Sequence, residues 1–443
     1  MRKFIFSPFI ITIMKQMKHF IFAFTIFMSA GLSFAQQADV NYDESKVPVF
    51  TLPDPLTFNN GKKLTTVKQW ENQRRPELLE MFASQMYGRT PKDRIRITYE
   101  ILSENPNFMD EKASCQQVKF IFTNGRKSIG AMLLLILPNG TKDKVPVMVA
   151  YNYNGNHTTT SDPSILLPDF YDFPTIPEHL RWSESDRTPG GQSSRWSFDK
   201  IIERGYGVAT MCYQDIYPDK PGYDDHSIVS LFAGYNSTEQ KKPDQWQALG
   251  TWAWGMSRIV DYLETQKRVD TKKIIAMGHS RHGKATLWAG VQDRRFAMVI
   301  SNNSGCGGAA LSKRVFGENI ARITNAFPHW FCPAFDRYAN HEADLPFDQH
   351  ELVALIAPRL VYICSAEQDT WADPKGEFLA GYFSGPVYQL YGLKGLDTDV
   401  HPPLHQPIMN TVGYHIRSGG HDVTEYDWMC WMDFADLHFG KPK

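Results

Sequence analysis

The pattern of apolar and polar positions changes character part-way along the chain. Between Arg94 and Ile136 the two kinds alternate, as in Arg94-Ile-Arg-Ile-Thr-Tyr-Glu-Ile and Val118-Lys-Phe-Ile-Phe. A period of two is the strand signature, so these segments predict antiparallel strands. Beyond them the apolar residues gather into short continuous runs: Val145–Tyr151, Tyr206–Met211, Lys273–Gly278, Ala297–Ser301 and Arg359–Cys364. Runs of this kind suit strands of a parallel sheet, buried on both faces. Helix-length segments, Gln245–Glu264 and Lys284–Gln292, separate some of them, and a helical stretch, Trp70–Tyr87, precedes the first strands. A strand-like Tyr414–Arg417 and a final helix close the chain. The order predicts an α/β chain with a mostly parallel central sheet begun by antiparallel strands, helices packing on both faces as a three-layer sandwich. No internal repeat or low-complexity linker divides it, so residues 91–443 read as one catalytic domain and residues 36–90 as an N-terminal extension packing on its core. Two long irregular stretches, Asn154–Ser194 and Asp215–Pro243, are candidate functional rims.

The first residues follow a different rule. Lys15 and Lys18 precede the apolar run Phe20–Met28, and small residues lead to Ser33-Phe-Ala35. That is the order of a secretory signal peptide, residues 1–35, cleaved near Ala35. Met14 or Met17 reads as the true start. The run is short for a membrane span and has no stop-transfer pattern after it, so a periplasmic or secreted protein without a membrane span is expected. With 42% apolar and 21% charged residues in 443 and a net charge of −1, the chain has no concentrated basic patch for releasing counterions, and nucleic acid is not an expected partner. A monomer is expected. The six cysteines lack metal-ligand spacing. Cys306 and Cys332 are the nearest pair should an oxidising compartment bridge any; Cys212 and Cys364 read as buried thiols.

The chemistry concentrates in Lys273-Ile-Ile-Ala-Met-Gly-His-Ser-Arg-His-Gly-Lys284. A buried strand ends at Gly278, Ser280 follows two positions on, and a helix starts at once. This is the strand–turn–helix of a nucleophile elbow, which lifts a serine Oγ above the sheet and sets helix N–H groups beneath an oxyanion. The second glycine stands at 283, one place later than in the usual pentapeptide, with His282 in its position. An elbow serine needs an acid and then a histidine, in that chain order. Asp369 follows a predicted parallel strand, where a triad acid belongs; Glu367 and Asp373 are rivals, and Asp373, before Pro374, reads more naturally as a helix cap. His421 lies in Gly419-Gly-His-Asp-Val, whose glycines free the backbone to place the ring; His401, His405 and His415 compete. In this reading Ser280 is the nucleophile of an α/β-hydrolase fold, His421 its base and Asp369 the group that holds the imidazole. Lys284 has a bland alternative as a solvated helix position, and Trp371 as a core filler.

The stretch Gly278-His-Ser-Arg-His-Gly-Lys284 resembles the G-C-S-R-x-G-K signature of the glucuronoyl esterases, carbohydrate esterase family 15. Asn302-Asn-Ser-Gly-Cys-Gly-Gly-Ala-Ala, Gly317-Glu-Asn-Ile, Asp369-Thr-Trp-Ala-Asp-Pro and Arg417-Ser-Gly-Gly-His-Asp extend the likeness from about residue 145 to 435. The resemblance implies cleavage of the ester between 4-O-methyl-D-glucuronate on xylan and an alcohol on lignin. With no H-E-x-x-H metal motif and no Gly-rich phosphate loop after a strand, no cofactor or metal is expected. The resemblance further implies that Arg281 stabilises the oxyanion, that Lys284 and Glu318 bind the uronate ring, and that Trp371 contacts the sugar. Two departures stand out. Asn303 occupies the place where fungal members and some bacterial ones have a glutamate acid, and an amide cannot neutralise an imidazolium, so the acid falls to Asp369. His279 and Asp422 occupy the positions that fungal enzymes join by a disulfide, so the site needs another brace. An acetyl-xylan or other carbohydrate esterase, or a non-catalytic sugar-binding protein on an esterase scaffold, are the competing readings. Asn154-Gly-Asn-His157 lies where a second oxyanion donor often sits.

Overall fold

Ten strands pair into a single sheet whose two ends obey different rules. In the computed structural model, which describes residues 40–167, 188–235 and 240–442, the strands are β1 (Arg96–Phe108), β2 (Ala113–Thr123), β3 (Ser128–Pro138), β4 (Val145–Asn152), β5 (Gly207–Cys212), β6 (Val269–His279), β7 (Phe296–Asn302), β8 (Leu360–Ala366), β9 (Ile408–Met409) and β10 (Val412–Arg417). Their order is β1-β2-β3-β5-β4-β6-β7-β8-β10-β9. The first three run antiparallel, and β3 meets β5 antiparallel. From β5 through β4, β6, β7 and β8 to β10 every pair is parallel. The architecture is the α/β-hydrolase arrangement that the apolar pattern predicts. The predicted signal segment lies outside the described residues, and among those residues no helix is long and apolar enough to cross a membrane.

The continuous apolar runs retain a period of two that burial on both faces hides. Val147 and Val149 of β4, Ile274 and Ala276 of β6, and Val299 of β7 pack into one cluster. Met148 and Ala150, Ile275 and Met277, and Met298 and Ile300 pack into the other, across the sheet. Helices Ala248–Leu263 and Arg281–Gln292 cover the first face through Trp252, Leu287 and Trp288. Helices Phe198–Glu203 and Glu425–Phe439 cover the second through Ile201, Trp428, Trp431 and Phe434. β3 departs from the expected alternation: it is buried from Ile129 to Pro138 because Leu133 and Leu135 face one layer and Leu134 and Ile136 the other. No disulfide joins any of the six; Cys306 and Cys332, like the rest, are buried thiols.

The chain is helical from Val67 to Tyr87, entered through a capping box at Thr66. Wider π-type turns at Trp70–Arg74 and Ala83–Tyr87 flank Arg75–Phe82. Pro76 has no N–H to give, and a widened turn just ahead of it absorbs the missing bond. The segment's apolar face is not a separate layer. Trp70, Leu78, Phe82, Met86 and Tyr87 belong to the same cluster as the sheet's first face. Tyr87 stacks on Trp288 with ring centroids 4.8 Å apart and donates its hydroxyl to the Gly307 carbonyl at 2.8 Å. Phe82 packs on Phe347 at 4.5 Å. Phe82→Ala is therefore expected to destabilise the whole catalytic domain by about 3–5 kcal/mol. Urea melts followed by fluorescence and by circular dichroism should move together, as one transition; a new early transition with an unchanged main one would mean that this segment folds independently.

Candidate active site

Four neighbouring parallel strands deliver the chemistry. β6, β7, β8 and β10 lie side by side, and just past their carboxyl ends come Ser280, Asn303, Asp369 and His421. Ser280 stands in the turn between β6 and helix Arg281–Gln292 with φ +58° and ψ −126°. A non-glycine residue with that backbone carries strain, which persists where the surroundings over-determine it. Here they do: the Ser280 N–H donates to the Asn302 carbonyl at 2.9 Å, and its own carbonyl accepts from Gly283 at 2.9 Å and Lys284 at 3.2 Å. The turn is so tight that a Cβ on Gly278 would lie 2.2 Å from the His282 carbonyl oxygen, and one on Gly283 2.9 Å from Ser304 Cβ. The glycine spacing that departs from the usual pentapeptide thus answers to contacts of this elbow: position 282 tolerates a side chain and 283 does not.

Asp369 is buried, while the His421 side chain is 41% exposed. The Asp369 Oδ2 lies 2.6 Å from His421 Nδ1 and accepts from Asn303 Nδ2 at 2.7 Å. The pairing leaves the other ring nitrogen free of this carboxylate. His279 packs against the His421 ring at 4.4 Å; burial holds its imidazole well below the usual range, with His421 adding to the shift, so it is neutral. Four of the five rivals are occupied elsewhere, and the fifth, Glu367, is exposed. Asp373 caps helix Pro374–Phe383 through Gly376 and pairs with Arg314 at 2.9 Å. His415 pairs with Asp427 at 2.9 Å, His401 meets the Tyr414 hydroxyl at 3.0 Å, and His405 meets Ser418 Oγ at 3.1 Å.

A cleft of about 640 Å³ opens over these residues. Ser280, Asp369 and His421 line it together with Arg281, Lys284, Glu318 and Trp371, so all seven residues given a catalytic or sugar-binding role from the sequence face one cavity. Lys284 is not a solvated helix position: it is buried and donates to the Ser304 carbonyl at 2.6 Å and to Glu318 at 3.4 Å. Trp371 is not a core filler, being 37% exposed at the rim, and its carbonyl accepts the Glu318 N–H at 2.9 Å. The Arg281 guanidinium is ion-paired with Asp219 and lies 4.9 Å from the Trp330 ring centroid. The Asn154–His157 segment is not among the cleft-lining residues; Asn156 is spent on the Met132 carbonyl and on Asn152.

Comparison with known proteins agrees with this geometry. The sequence model described as "Glucuronyl esterase, fungi" matches residues 231–392. Carbohydrate esterase MZ0003, from an unknown prokaryotic organism, is 42% identical over 91% of this chain and 93% of its own length. The chain belongs to carbohydrate esterase family 15. A glucuronoyl esterase from Solibacter usitatus superposes on this family member with a TM-score of 0.82 at 41% identity, covering 89% of this chain and 100% of that one. A promiscuous family 15 esterase from a marine bacterial metagenome does so with a TM-score of 0.82 at 41% identity, covering 90% and 100%. The present chain is accordingly a carboxylic ester hydrolase.

The structure also supplies what the sequence left open. Asp422, one of the two positions where the resemblance implies a missing disulfide, pairs instead with Arg195, Nε to Oδ1 at 2.7 Å, beside His421. Two acids of the site were missed. Asp219 sits in the long Asp215–Pro243 stretch, flagged only as a rim, and its partners His329 and Trp330 are too distant in sequence to be read as neighbours. Glu377, one helical turn beyond Asp373, accepts from the N–H groups of Ser304 at 2.7 Å and Gly305 at 3.0 Å and from Ser365 Oγ at 2.7 Å, fixing the loop under Lys284. Burial pushes the Glu377 carboxyl up to about 8 from an ordinary 4.5. The folded state therefore keeps a proton that the unfolded chain releases, and stability falls as pH rises from 4.5 towards 8. Glu351, likewise pushed up to about 8 by burial, adds to the fall. Glu377→Gln mimics the protonated acid, so its urea-derived stability should fall less steeply over that range than the wild type's. Identical slopes would show that Glu377 does not hold the proton.

Proposed function

We propose that this enzyme hydrolyses the ester joining 4-O-methyl-D-glucuronate of glucuronoxylan to lignin alcohols, through an acyl-enzyme on Ser280. Ser280 Oγ attacks the uronate carboxyl carbon while His421 takes its proton. Asp369, 2.6 Å from Nδ1, fixes the imidazole tautomer and stabilises the imidazolium. The tetrahedral oxyanion is held by the unpaired N–H groups of the helix beginning at Arg281 and by the Arg281 guanidinium. His421 returns the proton to the departing alcohol, and a water activated by the same base releases the uronate. Lys284 and Glu318, a buried cation and anion side by side, present both donors and acceptors to ring hydroxyls, and Trp371 offers an indole face at the rim.

One observation carries the reading. The elbow serine, the His421–Asp369 pair and the Arg281–Lys284 cations converge on a single cleft. A uronate ester is as neutral as an acetyl ester, and both form an oxyanion beside Arg281; the uronate is favoured by Lys284, Glu318 and Trp371, which offer donors, an acceptor and an indole face to a sugar ring beside the serine. The likeness to a family member described as promiscuous supports some turnover of simpler carbohydrate esters as well. Export through residues 1–35 fits a polymeric substrate found outside the cell.

Protein lacking residues 1–35 is expected to hydrolyse benzyl D-glucuronate. Ser280→Ala should lower kcat by about 10⁴-fold or more, with Asp369→Asn nearly as severe. Running acetylated xylan and 4-nitrophenyl acetate in parallel separates the readings. Cleavage of the acetyl esters alone would keep the serine mechanism and overturn the uronate assignment; no cleavage of any ester would favour a binding protein.

A further inference from the structure

Arg281 is the only long, flexible side chain among the groups proposed to touch the oxyanion, and its value in the transition state depends on being in place beforehand. The structure holds it by one carboxylate. The Asp219 side chain is only 6% exposed, yet both of its oxygens meet donors. Oδ1 accepts from Trp330 Nε1 at 2.7 Å and from His329 Nε2 at 2.9 Å. Oδ2 accepts from the Tyr213 hydroxyl at 2.8 Å and from Arg281 Nη1. Burial would raise its pKa, but the His329 bond, the Arg281 charge and the Trp330 and Tyr213 bonds outweigh burial and keep it well below the usual carboxylate range. His329 Nε2 is the donor in its bond to Oδ1, and His329 Nδ1 is buried with no partner. The guanidinium itself is caged by the rings of Trp330, Phe327 and Tyr153, with centroids 4.9, 5.4 and 5.9 Å away. Its Nε–H is buried with no partner.

We propose that Asp219 is a positioning residue for catalysis: it clamps one edge of the Arg281 guanidinium so that the remaining N–H groups are aimed into the cleft at the developing oxyanion. The inference rests on the oxyanion role assigned to Arg281 above. Pairing with a carboxylate does not cancel that role. Tyr213, His329 and Trp330 also donate to the Asp219 carboxylate, so Arg281 is not its sole partner, and the guanidinium edge facing the cleft keeps its positive potential. The aromatic cage restricts the other directions in which the side chain could swing. The clamp also explains why a loop lying far from the elbow in sequence bears on the chemistry: Tyr213 and Asp219 follow β5, while His329 and Trp330 follow the helix Ile320–Ala326. Both segments meet at Arg281.

The test is a double-mutant cycle read on whichever ester the wild type cleaves. Asp219→Asn is expected to lower kcat by about 10- to 100-fold with KM little changed, the cost of misplacing a transition-state group. In an Arg281→Ala background the same substitution should change kcat by no more than about twofold, because nothing is left to position. Equal losses in both backgrounds, or a rise in KM with kcat unchanged, would overturn the inference. Tyr213→Phe leaves the carboxylate in place and removes one of its donors; it should show the same kcat-only loss in smaller measure, and it carries the test if Asp219→Asn does not fold. An Arg281→Ala protein with wild-type kcat would overturn the oxyanion role itself and this inference with it. A loss in Arg281→Ala without one in Asp219→Asn would remove the clamp alone.

Discussion

The parallel pairing of β6, β7, β8 and β10 is the constraint on which the rest of the site depends. Parallel strands present their carboxyl ends on one edge, and residues that follow adjacent strands are brought within side-chain reach whatever their distance in sequence. Ser280, Asn303, Asp369 and His421 are spread over more than a hundred residues and meet because four such ends stand in a row. The register extends past the strands. The Glu367 N–H donates to the Arg417 carbonyl at 2.9 Å and the Gln368 N–H to the Gly419 carbonyl at 3.0 Å, so the loop carrying Asp369 is laced to the loop carrying His421. The hydrogen bond between the two side chains is thus set by backbone pairing before either side chain is considered.

Burial of charge is the second theme, and it follows from the first. An edge that gathers loops from so many strands encloses polar side chains, and each enclosed ion needs partners. Lys284 faces Glu318, Arg281 faces Asp219, and Arg314 faces Asp373. Glu377 pairs with no cation among the described residues, and burial, with the Asp369 charge nearby, pushes its carboxyl up. It accepts backbone and hydroxyl donors instead, which a protonated acid still does through its carbonyl oxygen. The ion pair at Asp422 stands where a fungal disulfide would fasten the loop beyond His421. An ion pair fixes the geometry without restricting the unfolded chain, so it replaces the local bracing but not the entropic part of a disulfide's effect.

The sequence exposed what local chemistry decides and concealed what tertiary contact decides. The apolar runs located β4, β5, β7 and β8 to within a residue or two, because strands buried on both faces need little from their neighbours to be recognised. The elbow was legible for the same reason: strand, glycine, serine and helix are consecutive. β3 read as alternating when it is buried throughout, since burial of its second face depends on helices that lie much later in the chain. Asp219 and Glu377 were invisible as site residues. Each is one acid among many until His329, Trp330 and Tyr213, or the Ser304–Gly305 backbone, is folded against it. Choosing Asp369 over Asp373 needed only the proline that follows Asp373, whereas nothing local showed how the disulfide positions would be braced.

Asn303 gives the clearest physical account of a family departure. Its side chain touches the very oxygen of Asp369 that meets His421 Nδ1, at 2.7 Å. Two strand ends therefore offer neighbouring positions from which a carboxylate can support one imidazole. Both cannot be ionised carboxylates at once. Like charges at hydrogen-bond distance would force one to take up a proton, and the shared proton would compete with His421 for the remaining negative charge. An amide at one position resolves the conflict. Its N–H donor is matched to the carboxylate at the other, and it leaves the full charge of Asp369 to the imidazolium. The exchange of acid for amide at 303 is thus the electrostatic counterpart of an acid at 369, and the pair has to be read as one unit rather than as a lost residue and a gained one.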